Sequence, residues 1–135
     1  MVAAGSRRQA RERALGLCYE LELRELDVET LLGQQPAPPD EYAVHLMRGL
    51  EAHADVVDDL LRRYSEHWAL ERMPAVDRAL LRLAAYELGW ESEMPTAVVI
   101  NEAVEMAKQY STKDSGRFVN GLLSRIAEEL RPALP

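Results

Sequence analysis

Apolar residues recur every three or four positions along nearly the whole chain, and this spacing restricts the possible fold more than any other feature of the sequence. An α-helix repeats every 3.6 residues, so this spacing places apolar side chains on one helical face. The longest such series consists of Ala43, Leu46, Met47, Leu50, Ala54, Val57, Leu61 and Tyr64. The sequence contains neither an alternating strand pattern nor an internal repeat. We therefore expect an all-α fold.

Prolines divide this pattern into separate helices, because proline cannot continue a helix interior. The clearest break is the stretch "GQQPAPPDE" at residues 33–41, and Pro95 and Pro132 mark later breaks. Ser6 is the expected cap of the first helix, which should end near Glu25, and Asp40 is the expected cap of a long helix. The predicted helices cover residues 6–25, part of 27–34, 40–64, 74–88, 100–107 and 119–130.

These segments predict a single domain of about six or seven packed helices. The proline-rich loop and the break at Pro95 indicate two subdomains that share one core. We expect the N-terminal subdomain at about residues 6–72 and the C-terminal subdomain at about residues 73–131.

Composition is typical of a globular domain that can bury its own core: 135 residues, of which 47% are hydrophobic and 29% are charged. No apolar run reaches the roughly 18 residues that a membrane span requires. The start "MVAAGSRRQ" is not followed by an apolar segment of signal-peptide length. Cys18 is the only cysteine, which suits a reducing compartment. We expect a cytoplasmic protein without a membrane partner.

The sequence gives little support for catalysis or for a cofactor. The three histidines, His45, His53 and His67, have no neighbouring cysteine, histidine or carboxylate at metal-ligand spacing. Cys18 lies beside the apolar face of the first helix, where a small core residue is more common than a nucleophile. No glycine-rich phosphate loop is present. The expected protein is therefore not an enzyme and holds neither metal nor cofactor.

Positive charge is concentrated at the two ends of an acidic chain. The formal net charge is −7, yet residues 1–13 contain four arginines against one glutamate, while the remaining residues contain 12 basic and 22 acidic side chains. Residues 111–135 contain four basic and three acidic side chains. If the fold brings the two ends together, they form a patch that suits a polyanion such as nucleic acid.

A helical wheel of the first helix allows two interpretations of its arginines. One continuous arc holds Arg7, Arg8, Arg11, Leu15 and Tyr19, and Arg13 lies on the opposite flank. Guanidinium groups that contact phosphates, together with a ring that stacks on a base, would make this arc an RNA-binding surface. Alternatively, Leu15, Tyr19 and Leu23 form a second buried face and the arginines are merely solvated.

The stretch "DSGRFVNGLL" at residues 114–123 favours the RNA-binding interpretation. Its two glycines each cost roughly 1 kcal/mol relative to alanine in a helix, which indicates that another helix or a ligand approaches the backbone. Phe118, the only phenylalanine, lies off the apolar stripe near Arg125, where it could stack on a base or wedge between helices. Lys113 and Asp114 lie at the helix start, where free N–H groups favour a phosphate.

Several of these segments together resemble the NusB family of bacterial transcription antitermination factors. The matching stretches are "RRQARERAL", "VDRALLRLAAYEL", "INEAVEMAKQY" and "DSGRFVNGLLSRI", and they occur in the order of the family across almost the whole chain. The resemblance implies two small helical bundles set across each other. It also implies binding to the boxA element of ribosomal RNA leader transcripts together with NusE, a ribosomal protein.

The resemblance also implies roles for individual residues. The arginine-rich start of the family matches Arg7, Arg8 and Arg11, and its aromatic residue on the first helix matches Tyr19. The positions before "FVNG" match Asp114, Arg117 and Phe118 as RNA-binding residues. Asp77 matches an acidic position that faces NusE, and an acidic surface would suit a basic ribosomal protein.

Two hypotheses of function follow. In the first, the protein is a non-enzymatic adaptor that binds a boxA-like single strand with NusE and joins the RNA polymerase antitermination complex. In the second, it is a helical protein-interaction module or a homodimer without sequence-specific RNA binding, and the arginines lie at or near the dimer contact.

Overall fold

The computed structural model describes residues 4–65 and 68–132, and within these ranges it contains seven α-helices, one short 3-10 helix at Leu70–Arg72, and no strand. The α-helices are α1 (Ala4–Arg24), α2 (Val28–Gly33), α3 (Glu41–Ala52), α4 (Ala54–Tyr64), α5 (Ala75–Trp90), α6 (Thr96–Tyr110) and α7 (Ser115–Leu130). The predicted all-α class and the number of helices are confirmed.

The first two helices differ from the prediction only at their ends. Helix α1 begins at Ala4, so Ser6 lies inside the helix and the prediction that it is the cap is wrong. The helix ends at Arg24, and Glu25 then adopts a left-handed backbone conformation with a φ of 53°. Asp27 caps α2, because its side chain accepts a 2.7 Å hydrogen bond from the Thr30 amide.

The long helix predicted for residues 40–64 is wrong, because the chain breaks at His53 into α3 and α4. The His53 ring stacks on Trp90 at a centroid distance of 4.4 Å and lies 6.0 Å from the Tyr86 ring, so its position is tied to the end of α5. Apolar periodicity continues across the break because both helices pack against α5. Helix α6 is longer than predicted, since it starts directly after Pro95.

Helix α5 lies at the centre of the fold and packs against α1, α3, α4, α6 and α7. Its fully buried side chains include Leu80, Leu81 and Leu88, and its buried residues also include two carboxylates, Asp77 and Glu87. The helix therefore links the first half of the chain to the second. The division into subdomains at about residue 72 stays a prediction.

Arg131 fixes the C-terminal end of α5 against the last helix. Its guanidinium donates hydrogen bonds to the carbonyl oxygens of Glu87 (3.1 Å), Leu88 (2.9 Å) and Glu91 (2.8 Å), to that of Met94, and to the Thr96 hydroxyl (3.2 Å). The last carbonyls of a helix have no partner within the helix. One side chain thus satisfies the end of α5 and holds the start of α6 beside it.

Gly49 lets α3 pack closely against the Tyr86 side chain of α5. A Cβ atom at this position would lie 2.1 Å from the Tyr86 hydroxyl oxygen and 2.3 Å from the ring carbon that bears it. The Tyr86 ring is buried, and its hydroxyl donates a 3.0 Å hydrogen bond to Glu91. A larger residue at position 49 would therefore have to displace a buried, hydrogen-bonded ring.

We predict that Gly49→Ala lowers the free energy of unfolding by about 1–3 kcal/mol, because overpacking displaces Tyr86. The matched control is Gly121→Ala in α7, where the new Cβ would meet open space. There alanine should stabilise the helix by up to about 1 kcal/mol. Urea denaturation of both variants measures the difference, and equal stability of the two would contradict the packing of α3 on α5.

Candidate nucleic-acid interface

Arg11 and Glu87 form a buried ion pair between α1 and α5. The Nε and Nη2 atoms of Arg11 donate to the two carboxylate oxygens of Glu87, each at 2.8 Å, and Tyr42 donates to the same carboxylate at 2.9 Å. Burial lowers the pKa of Arg11, but the hydrogen bond and the charge of Glu87 outweigh that effect and the pKa is raised. Arg11 therefore stays charged in the interior.

The wheel's prediction that Arg11 faces solvent is wrong, because the residue is only 4% exposed. Its guanidinium points to Glu87 and cannot contact a phosphate in this arrangement. The spacing of the sequence could have indicated that Arg11 is buried. Arg11 precedes Ala14 and Leu15 by three and four residues, which places it on the buried face of α1. Glu87 interrupts the apolar run of α5 and is the matching signal for a buried partner.

Arg7 lies at the outer end of this cluster, on the ring of Tyr42. The guanidinium carbon of Arg7 is 3.9 Å from the centroid of the Tyr42 ring, a cation–π contact. Within the described residues, no group accepts a hydrogen bond from Arg7 and none forms an ion pair with it. Its N–H groups are therefore available to an anion outside the protein.

Arg8 differs from Arg7 in having carboxylate partners. Its Nη1 atom donates to Glu102 of α6 at 2.9 Å, and its Nε atom lies 3.8 Å from Glu12. Both sides of the ion pair with Glu102 are 27% exposed, so Arg8 remains open to solvent. Arg13 lies on the opposite flank, as the wheel placed it, and donates to Gln35 at 2.7 Å.

The end of α6 brings the second basic segment close to α1. Tyr110 is the last residue of α6, and its hydroxyl donates a 2.6 Å hydrogen bond to Glu12 of α1. Lys113 follows three residues later, and Lys113 and Arg117 are both exposed. The end of α6 is thus held against α1, and the prediction that the two positive ends of the chain form one patch stays a prediction.

The sequence left open whether Phe118 stacks on a base or wedges between helices, and its environment combines features of both. It is half-buried and packs against the core, and its ring centroid is 5.5 Å from that of Trp68, which is 47% exposed. The two rings belong to the wall of a pocket of about 430 Å³ that also holds Ser65, Asp77, Asp114 and Arg125. Phe118 therefore supports the core on one side and faces this pocket on the other.

The prediction that Asp77 presents its charge on an open surface is wrong, because Asp77 is 1% exposed. It lies three and seven residues before the buried Leu80 and Ala84, on the same face of α5. Its Oδ2 atom accepts a 2.8 Å hydrogen bond from Ser115 of α7. Its Oδ1 atom has no partner among the described residues, and Asp77 lines the pocket beside Phe118.

The remaining wheel positions divide between core and surface. Leu15 is buried, Tyr19 is 37% exposed and Leu23 is 63% exposed, so the proposed second buried face of α1 does not extend beyond Leu15. Asp114 precedes α7 and makes no side-chain capping hydrogen bond. Gly116 packs against the Lys108 side chain of α6, whereas a Cβ atom at Gly121 would meet open space.

The described residues contain no group of three histidine, cysteine or acidic side chains that could hold a metal ion. Packing of Cys18 against the core raises the pKa of its thiol to about 12, so the reactive thiolate is scarce at neutral pH. His45 bonds to Glu91 at 2.8 Å and His53 stacks on Trp90, while His67 lies outside the described residues.

None of the described helices is long and apolar enough to cross a membrane.

Comparison with known proteins identifies the family. Residues 8–128 match the family model described as NusB family. The chain belongs to the NusB family. It is 51% identical over 129 residues to the transcription antitermination protein NusB of Saccharopolyspora erythraea, an alignment that covers 91% of this chain and 87% of the relative.

Solved structures of the NusB family share the fold. Thermotoga maritima NusB matches with a TM-score of 0.84 and 41% identity, covering 93% of each chain. A structure of the antitermination factors NusB and NusE in complex with dsRNA matches with a TM-score of 0.79 and 25% identity, covering 94% of this chain and 99% of that one.

We predict that Arg11→Ala lowers the free energy of unfolding by about 3–5 kcal/mol, because Glu87 is left as a buried charge without its partner. Arg13→Ala is the matched control: its side chain is exposed, and the change should stay within about 0.5 kcal/mol. Chemical denaturation of both variants gives the comparison. If Arg11→Ala were as stable as Arg13→Ala, the buried position of Arg11 would be refuted.

Proposed function

We propose that this protein is a transcription antitermination factor that binds a boxA-like single strand of a ribosomal RNA leader transcript together with the ribosomal protein NusE. In this role it is a non-enzymatic adaptor of the RNA polymerase antitermination complex and acts in the cytoplasm, where bacterial transcription takes place. Membership of the NusB family and the similarity to the NusB of the NusB–NusE complex with dsRNA support the proposal.

The observation that carries the RNA-binding part is the group of cationic side chains on α1 and around the loop between α6 and α7. Arg7 and Arg8 lie on α1, and Lys113 and Arg117 follow the end of α6, which the Glu12–Tyr110 hydrogen bond holds against α1. Contacts of this kind neutralise phosphates and release counterions, which provides affinity without regard to net protein charge. Arg11, from the interior, holds α1 in place beneath them.

Sequence preference requires contacts to bases, and single strands expose bases for stacking. We propose that Phe118 and Tyr19 provide ring surfaces and that Asp114 accepts a hydrogen bond from a base amine. The partly exposed rings of Tyr19 and Trp68 and the pocket beside Phe118 support this assignment.

We place the proposed contact with NusE in the pocket beside Phe118, whereas the sequence predicted an acidic surface. A basic side chain of NusE would enter it and donate to Oδ1 of Asp77. The buried, unpartnered oxygen supports this proposal, because a carboxylate oxygen without a donor is costly to bury.

A binding assay with three RNAs tests the function: a boxA oligonucleotide, a scrambled single strand and a boxA duplex, each with and without NusE. We expect the boxA single strand to bind most tightly, and NusE to strengthen its binding. Equal binding of the boxA and scrambled strands would leave only charge-driven association, and tightest binding of the duplex would refute the single-strand assignment. Absence of RNA binding combined with a stable dimer would favour the interaction-module hypothesis.

We predict that Arg7→Ala lowers the slope of log affinity against log salt by about 0.7, the value for one lost phosphate contact on a single strand. Arg8→Ala should reduce the affinity less than Arg7→Ala, because Arg8 must give up Glu102 to reach a phosphate. Arg13→Ala serves as the control and should change neither the slope nor the affinity. A slope that Arg7→Ala leaves unchanged would remove Arg7 from the interface.

We predict that Phe118→Ala weakens boxA binding by about 1–3 kcal/mol, the usual effect of one lost base–aromatic stack. Leu122→Ala in the fully buried stripe of α7 is the control and should cost about 2–5 kcal/mol of stability. Thermal melts and RNA titrations of both variants separate the two roles. A melting temperature that falls as far for Phe118→Ala as for Leu122→Ala would assign Phe118 to the core alone.

A further inference from the structure

We infer that Tyr42 is a positioning residue that holds Arg7 ready for RNA, an inference that rests on the proposed function. Tyr42 lies on α3, 35 residues away from Arg7 in the sequence, and nothing in the charge pattern of the chain points to it. It connects the buried ion pair to the exposed end of α1.

The two ends of the Tyr42 side chain have different tasks. Its hydroxyl donates to Glu87 at 2.9 Å, so the ring is anchored to the same carboxylate that holds Arg11. The face of its ring contacts the Arg7 guanidinium at 3.9 Å. The anchored ring therefore restricts the long side chain of Arg7 without occupying its hydrogen-bond donors.

This mode of restraint suits a phosphate ligand. An arginine free in solvent loses side-chain entropy when it binds, and prior ordering reduces that cost. A carboxylate partner would also order the side chain, but it would compete with the phosphate, as Glu102 does at Arg8. Stacking on Tyr42 orders Arg7 and leaves its N–H groups open.

Tyr64 provides a matched control for substitutions of Tyr42. It is also half-buried, its hydroxyl donates to a glutamate, Glu129, at 2.5 Å, and its ring lies 5.9 Å from the guanidinium of Arg63. Tyr64 is at the end of α4 and bonds to α7, whereas Tyr42 bonds to α5 at the α1 contact. Tyr42→Leu and Tyr64→Leu therefore remove similar groups at different places.

The test is a double-mutant cycle in the full chain with NusE, read as affinity for the boxA single strand at low salt. Tyr42→Leu should weaken binding about three- to tenfold, the range expected when one long side chain has to be ordered on binding. The same substitution in an Arg7→Ala background should have no further effect. Tyr42→Phe keeps the ring but loses its hydrogen bond to Glu87, so its affinity should lie between those of the wild type and Tyr42→Leu. Tyr64→Leu should leave binding unchanged.

Either of two binding results would overturn the inference: wild-type affinity in Tyr42→Leu, or an equal loss in the presence and absence of Arg7. A nuclear magnetic resonance spectrum of the free wild-type chain decides the matter if Tyr42→Leu fails to fold. The Arg7 δ protons should be shifted upfield by the Tyr42 ring, and shifts typical of a free arginine would contradict the stacking. If the wild-type chain does not prefer the boxA strand to the scrambled strand, the proposed function itself is refuted. If the wild type keeps this preference and only the mutant cycle gives the opposing result, the inference about Tyr42 is refuted and the proposed function is not.

Discussion

The buried ion pair between Arg11 and Glu87 is the interaction on which the rest of the structure depends. Two charges are costly to remove from water, and they are tolerated here because both carboxylate oxygens and two nitrogens of the guanidinium are paired at 2.8 Å. The pair joins α1 to α5, the helix that packs against most of the others. It thereby fixes the position of the arginines that precede it on α1, and through Tyr42 it also fixes the direction of Arg7.

This arrangement explains how a chain of net charge −7 presents a basic surface. The acidic side chains of the middle region are partly neutralised within it: Arg48 pairs with Glu29 at 2.9 Å, and Arg82 pairs with Asp58 at 2.8 Å. On α1 and around the loop between α6 and α7 the balance differs, since Lys113 and Arg117 are exposed and Arg7 stacks on a neutral ring. The local field that an RNA strand meets is set by these few groups and not by the total charge.

Much of the fold could be predicted from the sequence because apolar spacing and proline positions act locally. The break at His53 could not, since α3 and α4 pack on the same helix and keep one periodicity across it. The candidate site was harder to predict, because a helical wheel of one helix does not show which residues of other helices it packs against. Arg11 and Asp77 were assigned to the surface although their spacing from Leu15 and Leu80 places them among core residues, whereas Tyr42 carries no charge and gave no signal at all.

The most direct test of this account is a nuclear magnetic resonance titration of the full chain with the boxA single strand, observed at the arginine Nε–H groups and the backbone amides. We predict a protected Arg11 Nε–H signal that does not move, together with shifts at Arg7, Arg8, Lys113 and Phe118. Movement or loss of the Arg11 signal on RNA binding, or shifts confined to the exposed acidic residues Glu51, Asp55 and Asp59 of α3 and α4, would contradict the division between an interior arginine that supports the site and exterior ones that bind RNA.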